Sequence, residues 1–174
     1  MHGCRRIHSK PETQNPYPQA PHQVLFTDVV AFTAMSAQCH SSQVCDLLDE
    51  LFSVFDTIST HFDVYRFETV GDAYMIAGGL FDEGDECSAR ATCEAVSAFL
   101  LERVLFRHAY THALLLLIRA GLHVGPLMSG VVGLRMPHFT VFGDTVNMAS
   151  RMESNGEPGR VQVSGDIARV LATR

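Results

Sequence analysis

The chain has 174 residues, 47% of them hydrophobic and 18% charged, which is enough for one globular domain with a core of its own. Thirteen basic against nineteen acidic side chains leave a formal charge of -6, which excludes a general attraction to nucleic acid or anionic lipid; any phosphate must be held by local groups. The longest strongly apolar run, Ala113 to Ile118, falls far short of the roughly 20 residues that cross a bilayer, which excludes a membrane span within this chain.

Residues 1–23 contain Arg5, Arg6, Lys10 and four prolines with no apolar stretch like that of a secretory signal, so they are expected to form a flexible leader to a domain spanning 24–174. VLFT after Gln23 reads as a short buried strand that delivers Asp28 at its end. Ser41 or Ser42 is a candidate cap for an amphipathic helix carrying Val44, Leu47, Leu48, Leu51, Phe52, Phe55 and Ile58. Val64–Val70 and Ala73–Gly78 read as strands with only Gly71 and Asp72 between them, a tight hairpin with Asp72 at or beside its tip. A second helix is expected between Asp85 and Arg107. Ile118, Ala120, Leu122 and Val124 then alternate with Arg119, Gly121 and His123, a strand with one polar face. A Gly-rich passage leads to a strand at His138–Phe142, a helix from about Thr145 capped by Asp144 or Thr145, a strand at Arg160–Ser164 and a last helical piece. Strand, helix, strand, strand, helix, strand is the order of a ferredoxin-like sheet in an α+β domain. The five cysteines, Cys4, Cys39, Cys45, Cys87 and Cys93, form no CxxC pair, and their odd number favours reduced thiols in a cytosolic setting.

In this strand order Asp28 and Asp72 can converge at one edge of the sheet, and two convergent carboxylates make a divalent metal site. Two ions there would suit phosphoryl or nucleotidyl transfer, by activating an attacking hydroxyl and stabilising a leaving pyrophosphate. The alternative is that Asp28 caps a helix and Asp72 fills a turn, both common roles for aspartate. His108 and His112 have the spacing of a helical metal pair, but no carboxylate motif accompanies them and no metal site is read there.

VLFTDVVAFT, FETVGDAYM, RAGLHVGP and VFGDTVNMASRME, in this order, resemble the signature segments of class III nucleotidyl cyclase catalytic domains, from about Val24 to Leu171. The resemblance implies that Asp28 and Asp72 carry two Mg²⁺ or Mn²⁺ ions per site. It also implies that Glu68 reads the purine, glutamate there marking guanylate rather than adenylate cyclases. A carboxylate only accepts, which suits the N1 hydrogen and amine of guanine and opposes the N1 lone pair of adenine. Thr140 falls on the second specificity position, where guanylate cyclases carry cysteine and adenylate cyclases aspartate; a hydroxyl serves either base. Asn147 would orient the ribose, Arg151, four residues on along the same helix face, would stabilise charge on the α-phosphate, and Arg119 would contact the phosphates.

The implied activity is conversion of GTP to cyclic GMP and pyrophosphate in intracellular signalling, in the cytoplasm or on the cytoplasmic side of a membrane. The implied assembly is a homodimer, or a heterodimer with a related chain, in which Asp28, Asp72 and Arg119 of one protomer meet Glu68, Thr140, Asn147 and Arg151 of the other. An adenylate cyclase, a non-catalytic regulatory module of the same fold and another palm-type nucleotidyl transferase are the alternatives. The lysine that grips the triphosphate in the family falls beyond Arg174, so the domain is expected to be truncated at its C-terminus with a sheet edge unpaired. Phe106–Leu117 departs from the family pattern.

Overall fold

The computed structural model describes residues 22–62, 64–80, 105–106 and 114–172. Nearly all of the expected leader, most of the second expected helix, His108, His112, Cys4, Cys87 and Cys93 lie outside the described residues, whereas Cys39 and Cys45 are free thiols.

Strand β1 (His22–Val29) pairs antiparallel on both sides, with β3 (Ala73–Gly78) and β6 (Ile118–Gly125). A central strand covered on both faces has no wet side, which is why Val24, Leu25 and Phe26 follow one another without alternation before Thr27 and Asp28. β2 (Tyr65–Val70) flanks β3, and β9 (Val161–Val163) runs parallel to β6, giving the order β2-β3-β1-β6-β9. The strands β2, β3, β1 and β6 therefore lie as the ferredoxin-like expectation requires.

Helix α1 (Phe32–Ser36) is a single turn after β1 that the sequence reading did not contain. α2 (Ser41–His61) lays Leu47, Leu51 and Phe55 onto Leu25, Val29, Tyr74, Ile76, Ile118 and Leu122 of the sheet. Each such fully buried side chain contributes about 1.5–3 kcal/mol. Its cap is neither Ser41 nor Ser42 but His40, whose ring accepts from the Ser42 amide at 3.4 Å while Gln43 Oε1 accepts from the His40 amide at 2.8 Å. This is a capping box with imidazole as the acceptor.

The opposite face of the sheet is covered by a hairpin of β7 (Met128–Val132) and β8 (His138–Phe142) and by helix α3 (Asp144–Ser154). Val24, Phe67, Ala77, Val141 and Ala149 form the core there. The face of β6 bearing Arg119, Gly121 and His123 is thus roofed rather than solvated. A Cβ on Gly121 would lie 1.9 Å from the Glu153 amide nitrogen and 2.6 Å from the Ala149 carbonyl, so only glycine lets α3 rest on the strand. His123 is buried with Nδ1 2.7 Å from Ser164 Oγ.

β7 was hidden in the Gly-rich passage because Gly130 and Gly133 suggested a loop. α3 follows Gly143, at φ 138°, and has no side-chain cap; the Thr145 hydroxyl donates instead to the Pro126 carbonyl. β4 (Leu105–Phe106) and β5 (Leu114–Leu115) form a two-residue antiparallel ladder, so Leu105 and Phe106, near the end of the range in which the second helix is expected, are extended. α4 (Gly165–Ala172) seats Ile167 in the first core. Among the described residues no helix is long and apolar enough to cross a membrane.

Candidate active site

Asp28 is the next-to-last residue of β1, in register with Arg119 of β6. Asp72 occupies the two-residue turn between β2 and β3, where Gly71 at φ 61° supplies the left-handed backbone that so tight a connection uses. The turn is tied to β1: Asp72 Oδ2 accepts from the Val29 amide at 3.1 Å. One residue earlier, the Thr27 hydroxyl donates to the Tyr74 carbonyl at 3.1 Å, fixing the same two strands on the far side of Asp28. Burial, and then the neighbouring Asp28 carboxylate, push the Asp72 pKa above the ordinary aspartate range.

Arg119 answers that negative charge. It donates to Asp28 Oδ2 at 2.6 Å and, through Nε, to Glu153 Oε1 of α3 at 3.1 Å. Its pKa is raised, first by the hydrogen bond to Asp28. Glu153 is itself buried, and that burial, reinforced by Asp28, raises its pKa.

Glu68 reaches its place through a β-bulge. The β2–β3 register shifts between Arg66 and Glu68, so Phe67 and Glu68 both fall on the sheet face beneath the β7–β8 hairpin. Arg66 stays on the α2 face, paired with Asp56 at 3.1 Å. Under the hairpin, Glu68 Oε2 accepts from the Thr140 hydroxyl at 3.4 Å and lies 3.1 Å from His138 Nε2. A contact of the exposed Tyr65 with the half-buried Phe139, rings 5.3 Å apart and nearly perpendicular, supports the same junction.

Asn147 and Arg151 share the exposed face of α3, while Thr145, Ala149 and Glu153 form its buried stripe. Neither side chain makes a hydrogen bond or ion pair among the described residues. The chain thus brings together Asp28, Asp72 and Arg119, and separately Glu68 and Thr140. Among the described residues no hydrogen bond or ion pair joins Asn147 or Arg151 to either group.

Two hard carboxylates at the end of β1 fit Mg²⁺ or Mn²⁺ by donor chemistry, and their mutual repulsion would be relieved by a cation between them. Among the described residues no third His, Cys, Asp or Glu completes a cluster, so a bound ion would need water or ligand oxygens besides. Two polar contacts were missed from sequence. His138 alternates with Thr140 along β8 and so shares its face, and Glu153 follows Ala149 by four on α3; those spacings were the available signals.

Residues 16–174 match the family described as the adenylate and guanylate cyclase catalytic domain. The chain is 44% identical over 149 residues to atrial natriuretic peptide receptor 2 of Anguilla japonica, covering 85% of this chain and 14% of that protein. It is 46% identical over 152 residues to the receptor-type guanylate cyclase Gyc76C of Drosophila melanogaster, covering 85% and 10% respectively. The chain therefore spans about a seventh or less of the length of these curated relatives. Among solved structures, the guanylate cyclase domain of RhGC from Catenaria anguillulae in complex with GTP superposes with a TM-score of 0.82 at 30% identity, covering 89% of this chain and 84% of that one. With the family match extending over the whole described sheet and its two carboxylates, the chain belongs to the adenylate and guanylate cyclase catalytic domain family.

Proposed function

We propose that residues 24–174 act as a guanylate cyclase catalytic domain that converts GTP to cyclic GMP and pyrophosphate, at a site completed by a second copy of the chain. The observation that carries the substrate choice is the Glu68 carboxylate, turned by the bulge toward Thr140 and His138. A carboxylate there accepts from guanine N1–H and the exocyclic amine, and Thr140 supplies a hydroxyl for the remaining base edge. The names of the curated relatives and of the GTP-bound fungal domain support the same reading.

In the reaction the ribose 3′-hydroxyl attacks the α-phosphate, and the bond to the bridging oxygen of pyrophosphate breaks. Asp28 and Asp72 would hold the divalent ions, Mg²⁺ or Mn²⁺, which supply Lewis-acid activation of the hydroxyl and neutralise the leaving group. Arg119, paired with Asp28, would meet the phosphates. Asn147 orients the ribose and Arg151 meets the negative charge that grows on the α-phosphate, a role for a preorganised cation typically worth several kcal/mol. Both lie on the exposed face of α3, with no partner among the described residues of their own chain, which supports their acting on a neighbour's site. A membrane-anchored parent would present this domain on the cytoplasmic side.

Incubating the purified chain with equimolar GTP and ATP and Mn²⁺ tests the reading. Cyclic GMP as the main product is expected. Cyclic AMP as the main product would make it an adenylate cyclase, and nucleotide binding without either product would make it a regulatory module.

A further inference from the structure

Arg119 is shared between two carboxylates, and the division is unequal. The terminal nitrogen donates to Asp28 Oδ2 at 2.6 Å, whereas Nε donates to Glu153 Oε1 at 3.1 Å. A divalent ion at Asp28 needs carboxylate oxygens, one of which, Oδ2, the guanidinium now occupies, so arginine and cation compete for one carboxylate. A guanidinium with a single carboxylate partner closes on it as a two-bond fork, the strongest geometry available to it. By engaging Nε, Glu153 prevents the side-on fork, made by Nε and the terminal nitrogen together, from forming on Asp28. It also gives Arg119 a second anion on which to remain once Asp28 has turned to a cation.

Glu153 is well fixed for this purpose. It sits on the buried stripe of α3, its other oxygen accepts from the Ser154 hydroxyl at 3.2 Å, and α3 is pinned against Gly121 by direct backbone contact. That backbone contact already docks the helix, so an ion pair is not needed to hold α3 on the sheet. A buried carboxylate is costly unless paired, and a leucine or alanine on this stripe would avoid the cost.

We propose that Glu153 is a positioning residue that weakens the hold of Arg119 on Asp28 and keeps the guanidinium beside the site, so that Asp28 exchanges an arginine for a divalent cation. The proposal rests on Asp28 and Asp72 being the metal carboxylates. It is tested with the purified chain and Mn²⁺ alone, without nucleotide, following loss of the free-ion paramagnetic resonance signal, with circular dichroism as the control for folding. Glu153→Gln keeps the shape and an acceptor but removes the charge. Its Mn²⁺ dissociation constant should rise about fivefold or more, and the same substitution made in an Arg119→Met chain should change it by only about twofold or less. Arg119→Met alone, by removing the competitor, should tighten Mn²⁺ binding, which keeps the test decisive if Glu153→Gln does not fold. An unchanged constant in Glu153→Gln, an equal change in both backgrounds, or weaker binding by Arg119→Met would overturn the role given to Glu153. Asp28→Asn reports separately on the metal assignment: it should weaken Mn²⁺ binding, and a constant equal to that of the unmodified chain would overturn that assignment and the proposal with it.

Discussion

The Thr140 hydroxyl donates to Glu68 Oε2 at 3.4 Å, joining two residues 72 positions apart across β8 and β2. Glu68 offers an acceptor for guanine N1–H and the amine, and the Thr140 hydroxyl, once its proton turns from Glu68 to the base, offers a donor for O6. Replacing Glu68 by Lys and Thr140 by Asp together reverses that pattern. The ratio of kcat/KM for GTP over ATP should fall by about tenfold or more, as polar mismatches at a base edge discriminate strongly. An unchanged ratio would remove Glu68 and Thr140 from base recognition.

Asp72 separates function from stability. If Asp72 holds the metal as proposed, Asp72→Asn should reduce turnover about 100-fold or more, yet its melting temperature should equal or exceed that of the unmodified chain. The sign follows from the raised pKa. Below the ordinary value of 3.8 the folded and unfolded chains both hold the proton and there is no difference. As pH rises through the window up to the raised value, the unfolded chain ionises first, and folded stability falls to a level that persists at neutral pH. Asparagine avoids that loss and still accepts from the Val29 amide. A marked fall in melting temperature would contradict the account.

Ala31 stores backbone strain three residues after Asp28. At φ 59° it is the one non-glycine residue with positive φ among the described residues. Relief of the Cβ clash on Ala31→Gly, offset by the larger entropy of glycine in the unfolded chain, should leave a net stabilisation of about 0.5–1 kcal/mol in urea unfolding. A destabilised Ala31→Gly chain would show that the turn is held without strain.

Tyr74 gives the fold an alkaline limit. Its buried hydroxyl donates to Asp56 Oδ1 at 2.6 Å and lies 3.1 Å from Ser59 Oγ, and burial followed by the Asp56 hydrogen bond raises its pKa well above the ordinary value. The stability it contributes is complete below pH about 10 and is lost progressively above it, because the unfolded chain releases the proton first. Tyr74→Phe should be less stable at neutral pH and should lose less stability above pH about 10. An equally steep alkaline loss in both chains would place the titrating group elsewhere.

Sequence periodicity was informative wherever one local rule governed a segment. The α2 stripe, the Gly71–Asp72 hairpin, β3 and β8 all follow their expected spans, because apolar spacing and a two-residue gap leave little choice. What escaped depended on partners far away in the chain. The bulge that turns Glu68 to the hairpin face arises from pairing with β3, the burial of His123 and Gly121 from the arrival of α3, and β7 from pairing with β8 across a glycine-rich segment whose composition signals a loop. Caps were misassigned for a related reason: His40 and Gly143 act through geometry that residue preference at Ser41 or Asp144 does not contain. The candidate site residues were recognised through the family motifs, while Glu153 and His138 became visible only as contacts of those residues.

The shared site is the central claim, and mixing two inactive chains tests it most directly. On the proposed roles, Asp72→Ala would remove a metal carboxylate and Arg151→Ala the transition-state cation, and in a mixed dimer both lesions would fall in one site and leave the other whole. With random pairing half the dimers are mixed and each has one intact site, so cyclic GMP formation from GTP should return to roughly a quarter of the unmodified rate. No recovery, with mixed dimers confirmed by mass, would contradict a site built from two copies of this chain.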